Sequence, residues 1–77
     1  MIEHQQQQQR FVLTKDGNEC LLEYVLDGNQ VDFTHTYVPF ALRGQGLAEV
    51  IVKEGLAWAQ AQGLSVAASC SYVQKFL

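Results

Sequence analysis

Arg43-Gly44-Gln45-Gly46 places two glycines, one residue apart, where a long amphipathic helix should begin. Amides in the first turn of a helix have no intrahelical partners, and the helix dipole adds roughly half a positive charge there. Glycines remove the side chains that would hold a phosphate at a distance. The stretch from Val38 through Ala48 therefore reads as an anion cradle, suited to a pyrophosphate. The second reactive group is the Cys70 thiol, which has Ser69 and Ser71 beside it as candidate caps of a following helix. Near a helix start it could ionise more readily and act as nucleophile or acid. In apolar surroundings it would instead be a small, inert packing residue. His35 could move a proton near neutral pH. Because it alternates with Val31 and Phe33, it could equally be a hydrogen-bonded structural histidine.

These residues have little chain to position them. With 77 residues, 48% of them hydrophobic, there is one domain and one core. Such a chain is only marginally stable, so a ligand that binds the native state would add to its stability. Three lysines and two arginines are scattered against eight acidic residues, giving a net charge of −3. That argues against nucleic acid as a partner, since backbone phosphates require clustered cations. No apolar run approaches the ~18 residues of a membrane span, and the polar N-terminus is no signal peptide. Reduced Cys20 and Cys70 in a cytoplasmic setting are expected. Cys20 reads as core. His4 has no Cys or His neighbour at ligand spacing, so no metal site is expected.

Residues 1–10, with glutamine at each position from Gln5 to Gln9, show no hydrophobic periodicity and read as a disordered tail. Residues 11–77 form the domain. Phe11 to Leu13 opens a β pattern, and Lys15-Asp16-Gly17-Asn18 supplies a turn. Glu19 to Leu26 alternates, Asp27-Gly28-Asn29 signals a hairpin, and Gln30 to Val38 makes a third strand. In that third strand Val31, Phe33, His35 and Tyr37 fall on one face, with Asp32, Thr34, Thr36 and Val38 on the other. Leu47, Ala48, Ile51, Val52, Gly55, Leu56, Trp58 and Ala59 recur at helical spacing, and Gly63 stops the helix. Gly55 in its middle costs about 1 kcal/mol relative to alanine unless it allows a close approach to the sheet. Leu64 to Ser69 is a short apolar strand. Strand, helix and strand make a right-handed βαβ unit, which puts the helix start and Cys70 beside the carboxyl ends of the parallel strands. Cys70 to Leu77 reads as the start of a further helix, either a turn or two long or continuing beyond this chain.

Arg43-Gly44-Gln45-Gly46-Leu47-Ala48 resembles the Arg/Gln-x-x-Gly-x-Gly/Ala signature of the GNAT acyltransferase superfamily. The line from His35-Thr36 through Pro39, this loop, Trp58-Ala59 and Ser69-Cys70-Ser71-Tyr72-Val73 is similar to the short, single-domain members. The resemblance implies an α/β (α+β) fold with a GNAT-like mixed sheet. In it an antiparallel three-stranded meander leads into a βαβ unit with one long helix and a short C-terminal one. It implies acetyl-CoA as the bound cofactor, with Val38, Arg43, Gly44, Gln45, Gly46, Leu47, Ala48, Cys70 and Tyr72 contacting it. Cys70 and His35 become the catalytic candidates, and an N–H near Val38 could polarise the thioester carbonyl. This chain departs from the pattern at Tyr37, where the short family commonly carries a glutamate, and the family usually continues further, with basic side chains.

The expected activity is an N-acetyltransferase acting on an amine. Larger relatives build acceptor pockets from helices between their first two strands, and here only Lys15 to Asn18 stands there. An open acceptor side suits a protein lysine, an N-terminus or a small amine. Two alternatives accompany that expectation. One is a CoA-binding module with little or no turnover, which the loss of a carboxylate at Tyr37 favours. The other is a small interaction domain whose glycine loop stays empty.

Overall fold

The computed structural model describes residues 2–77. Its five-stranded sheet has the order β1-β2-β3-β4-β5, formed by β1 (Ile2–Gln5), β2 (Arg10–Lys15), β3 (Asn18–Asp27), β4 (Gln30–Tyr37) and β5 (Ser65–Ala68). The first three junctions are antiparallel, and β4 runs parallel to β5. Helix α1 (Leu47–Ala61) makes the crossover and α2 (Ser71–Gln74) follows β5. The mixed sheet, the long helix and the short one correspond to the fold expected from the resemblance.

The glutamine-rich segment is not the tail that its composition suggests; Met1 alone lies outside the described residues. Ile2 to Gln5 pairs in register with Leu13 to Arg10 and forms an edge strand. His4 supplies the physical reason. Its ring stacks on Phe11 at 4.0 Å with the planes 9° apart and meets Trp58 edge-on at 4.7 Å. Its Nε2 shares a 2.6 Å hydrogen bond with the Tyr24 hydroxyl. A polar strand is thus anchored by the contacts of one imidazole with three aromatic rings and by main-chain pairing that composition does not reveal. Gln6–Gln8 form a single 3-10 turn that leads back into β2.

Helix α1 covers one face of the sheet. Ile51, Val52, Gly55 and Ala59 are buried against Leu22, Val31 and Phe33 in one continuous core that also takes in Phe11, Cys20 and Val73. Gly55 is where the helix comes closest. A Cβ built there would lie 2.6 Å from Leu22 Cδ2 and 3.1 Å from Phe33 Cε1, so the propensity cost is offset by contact between backbone and sheet. The helix ends where Gly63 N–H donates to Gln60 O and Leu64 N–H donates to Ala59 O, a double bond pattern that satisfies its last carbonyls. On the solvent side Lys53 and Glu49 make the expected i,i+4 ion pair at 2.9 Å. Among the described residues no helix is long and apolar enough to cross a membrane. No group of three metal-ligating side chains occurs among them, and both cysteines are free thiols.

Candidate functional site

The parallel pairing of β4 with β5 ends at Phe33↔Ala68, yet β4 continues to Tyr37 beside β3. The two parallel strands therefore part after Phe33. A β-bulge lies at the same point, because Tyr24 pairs with Phe33 while Glu23 pairs with His35, which leaves Thr34 without an opposite number. Thr34 Oγ1 donates to Glu23 O at 3.4 Å across this irregularity.

One extra residue reverses the parity of a strand. Val31 and Phe33 face α1 as the alternation predicts, but His35 and Tyr37 do not. His35 sits opposite Glu23 on the face away from the helix, exposed, and Thr36 sits opposite the buried Leu22. The sequence places His35 with the core; the bulge puts Thr36 there instead. Tyr37 is likewise 44% exposed.

Thr36 is thereby directed at Cys70. Its Oγ1 lies 3.5 Å from the Cys70 Sγ, and Cys70 N–H donates to Phe33 O at 3.1 Å. Cys70 is half-buried, and it precedes α2 in an extended conformation. Burial pushes the thiol pKa up. Hydrogen bonds from the Thr36 side chain and from the amides of Val73, Tyr72 and Thr36 act in the opposite direction and prevail, so the thiol lies below its ordinary value. Cys20 shows the contrast: it is fully buried, and desolvation raises its pKa.

Two residues beyond Thr36, and hence within about 7 Å along an extended chain, Val38 enters the glycine loop. Phe40–Leu42 form a 3-10 turn with Leu42 buried beneath it. Arg43 Nε donates to Val38 O at 3.0 Å, which closes the loop on itself, and its guanidinium lies 6.0 Å from the Phe40 ring centre. Gly44 has φ +82° and Gly46 φ +73°, conformations that side chains resist. A Cβ at either would meet no atom within 4 Å. Gly46 caps α1 without any side-chain bond, and the first intrahelical donor is Val50, bonded to Gly46 O. Among the described residues the amides of Gly44 to Ala48 donate to no backbone carbonyl outside the regular elements.

Val38, Leu42, Arg43, Gly44, Gly46, Leu47 and Ala48 together line a concavity of about 150 Å³. Gln45 is turned away from it, its Oε1 accepting from Lys15 Nζ at 2.6 Å. Lys15 and Arg43 make no ion pair among the described residues. A pyrophosphate would meet helix-start amides without intrahelical partners here and no Cβ above Gly44 or Gly46, with the Arg43 cation among the lining residues. The sequence-derived residues thus divide. Val38, Arg43, Gly44, Gly46, Leu47 and Ala48 line this concavity, and Cys70 stands at the strand fork that leads to it. Tyr72 packs against Phe76 at 5.3 Å, with the Lys75 ammonium 5.5 Å from its ring. His35 is on the opposite face of the sheet from Thr36 and Cys70. Sequence reasoning missed Thr36 as the partner of the thiol and Lys15 as a neighbour of the loop. Only the hairpin position of Lys15 hinted at its place.

A family model described as GCN5-related N-acetyl-transferase matches residues 10–77. The chain is 33% identical over 79 residues to "Protein NATD1" of Bos taurus, covering 99% of this chain and 70% of that protein. It is similarly 33% identical to the Mus musculus protein, of which it covers 72%, and 32% identical to that of Homo sapiens, of which it covers 70%.

Proposed function

Since the chain belongs to the GCN5-related N-acetyltransferase family, we propose that it binds acetyl-CoA and transfers the acetyl group to an amine. The observation that carries this reading is the direct run from fork to cradle. Thr36 holds the Cys70 thiol, and two residues later Val38 opens a loop with glycines at positive φ and free helix-start amides.

Acetyl-CoA, when bound, supplies an acetyl thioester activated for attack by an amine. In this reading the amides of Gly44 to Ala48 hold the pyrophosphate, and Arg43 adds charge beside them. The gap between β4 and β5 receives the arm that ends at the thioester. The Cys70 S–H donates its proton to the departing thiolate. The proton lost by the attacking amine then restores the Cys70 thiol, so the amide and free CoA form with no net change at the protein. Cys70 as transient acyl acceptor is the other chemistry open to the same atom. β2 and β3 are joined by Asp16 and Gly17 alone, which supports an open acceptor side suited to a lysine or N-terminus of a protein, or a small amine.

A CoA-binding module without turnover is the second reading, and the orientation of His35 favours it. That imidazole faces away from the fork and so does not serve Cys70 as a second proton carrier. Incubation with acetyl-CoA plus polyamines and lysine-rich peptides separates the two. CoA release that disappears in Cys70→Ala supports transfer. Tight binding with no release over hours supports the module.

A further inference from the structure

The fork has a fastening that neither the loop nor the thiol accounts for. Both oxygens of Asp32 are engaged by Ser69: its N–H donates to Oδ1 at 2.8 Å and its hydroxyl to Oδ2 at 2.7 Å. Asp32 sits in the last paired stretch of the parallel ladder, opposite Ala67, while Ser69 is the first residue beyond β5. The Ser69 N–H, at the point where strand partners run out, is therefore taken by a side chain. The neighbouring Ala68 carbonyl is capped in the same manner, accepting from Gln74 Nε2 at 2.8 Å. The next residue is Cys70, whose own N–H reaches back to Phe33 O. A carboxyl group accepting two bonds from a single residue is a strong and directional restraint.

We propose that Asp32 is a positioning residue: by gripping both donors of Ser69 it fixes where β5 leaves β4 and so holds Cys70 against Thr36. Without the grip, Ser69 can follow the straight extension of β5, and the Cys70 side chain loses its fixed approach to Thr36 Oγ1. Asp32 does not bond the thiol itself. Cys70 is surrounded by the Thr36 hydroxyl and the amides of Thr36, Tyr72 and Val73, with no acidic or basic side chain bonded to it among the described residues. The effect therefore travels through the backbone and not through charge. It stands on the geometry of the fork and needs no bound CoA, so it can fail or hold independently of the acetyl-transfer reading.

The test uses the full chain with Asp32→Ala, Asp32→Asn and Ser69→Ala. Hydrogen exchange is read at the Cys70 amide, and the pH profile of iodoacetamide alkylation is read at Cys70 by mass spectrometry. In Asp32→Ala the Cys70 amide should exchange at least about tenfold faster, and the alkylation profile should move to higher pH. Asp32→Asn, which keeps one acceptor for Ser69, should fall between that variant and the native protein. Ser69→Ala, which keeps the amide bond, should shift in the same direction by less. A lowered melting temperature with both Cys70 readouts unchanged would make the clamp merely structural and overturn the proposal. Should Asp32→Ala fail to fold, unchanged readouts in both milder variants overturn it equally.

Discussion

Thr36 and Cys70 are 34 residues apart in the chain, and their Oγ1 and Sγ atoms are 3.5 Å apart in space. The contact exists because Thr34 bulges out of β4 and turns Thr36, not His35, toward the helix side of the sheet. It ties the divergence of two strands to the ionisation of one thiol.

Thr36→Val removes the hydroxyl while keeping the shape. The Cys70 alkylation rate at neutral pH should fall by roughly tenfold or more, the worth of one hydrogen bond to a charged sulfur. Fully buried Cys20 gives a low background. The same shift has a stability consequence of definite sign. A thiol more acidic when folded than when unfolded adds stability that is present above the ordinary thiol range and is lost as pH falls through the lower folded value. Denaturant titrations at rising pH should therefore favour the native protein over Cys70→Ala, and equal slopes would contradict this.

Gly55→Ala tests the closest approach of α1 to the sheet. The new methyl would be driven into Leu22 and Phe33, both fully buried. Overpacking of about 1–3 kcal/mol should outweigh the roughly 1 kcal/mol gain in helix propensity. A net loss near 1 kcal/mol corresponds to a melting temperature lower by about 4–8 °C, readable by circular dichroism.

His4 makes the first strand sensitive to acid. Burial holds its imidazole below the ordinary value of about 6.5. The unfolded chain binds the proton first, so stability is full above that value and declines as pH drops from there toward the lower folded value. Thermal melts between pH 7 and 5 should show this decline, and His4→Gln should flatten it.

Much of this fold is legible in the sequence because its signals are local. Asp27-Gly28-Asn29 announces a hairpin from its own turn chemistry, and Leu47 to Ala61 announces a helix from its own period. The glycine loop before α1 is legible for the same reason: glycines before a helix act through their immediate backbone. What stays hidden depends on partners distant in the chain. The Val31, Phe33, His35, Tyr37 alternation reads without a break, because a bulge is a property of two strands and not of one. Ile2 to Gln5 looks unstructured since its reason to order is the Phe11, Tyr24 and Trp58 rings. The grip of Asp32 on Ser69 spans 37 positions and leaves no periodic trace.

Gly46→Leu bears on the cradle itself. A side chain at φ +73° strains the loop by about 1–2 kcal/mol and occupies the open space where the proposed ligand would lie. Loss of one or two amide bonds to a charged phosphate should weaken CoA binding by roughly ten- to a hundredfold. Circular dichroism should remain that of the native fold, so that the loss is assigned to the loop.

Isothermal calorimetry with CoA and the native chain tests the central claim most directly. The cradle predicts saturable one-to-one binding that Gly46→Leu weakens and Cys70→Ala leaves largely intact. Absence of heat and of any thermal shift at millimolar CoA would contradict it.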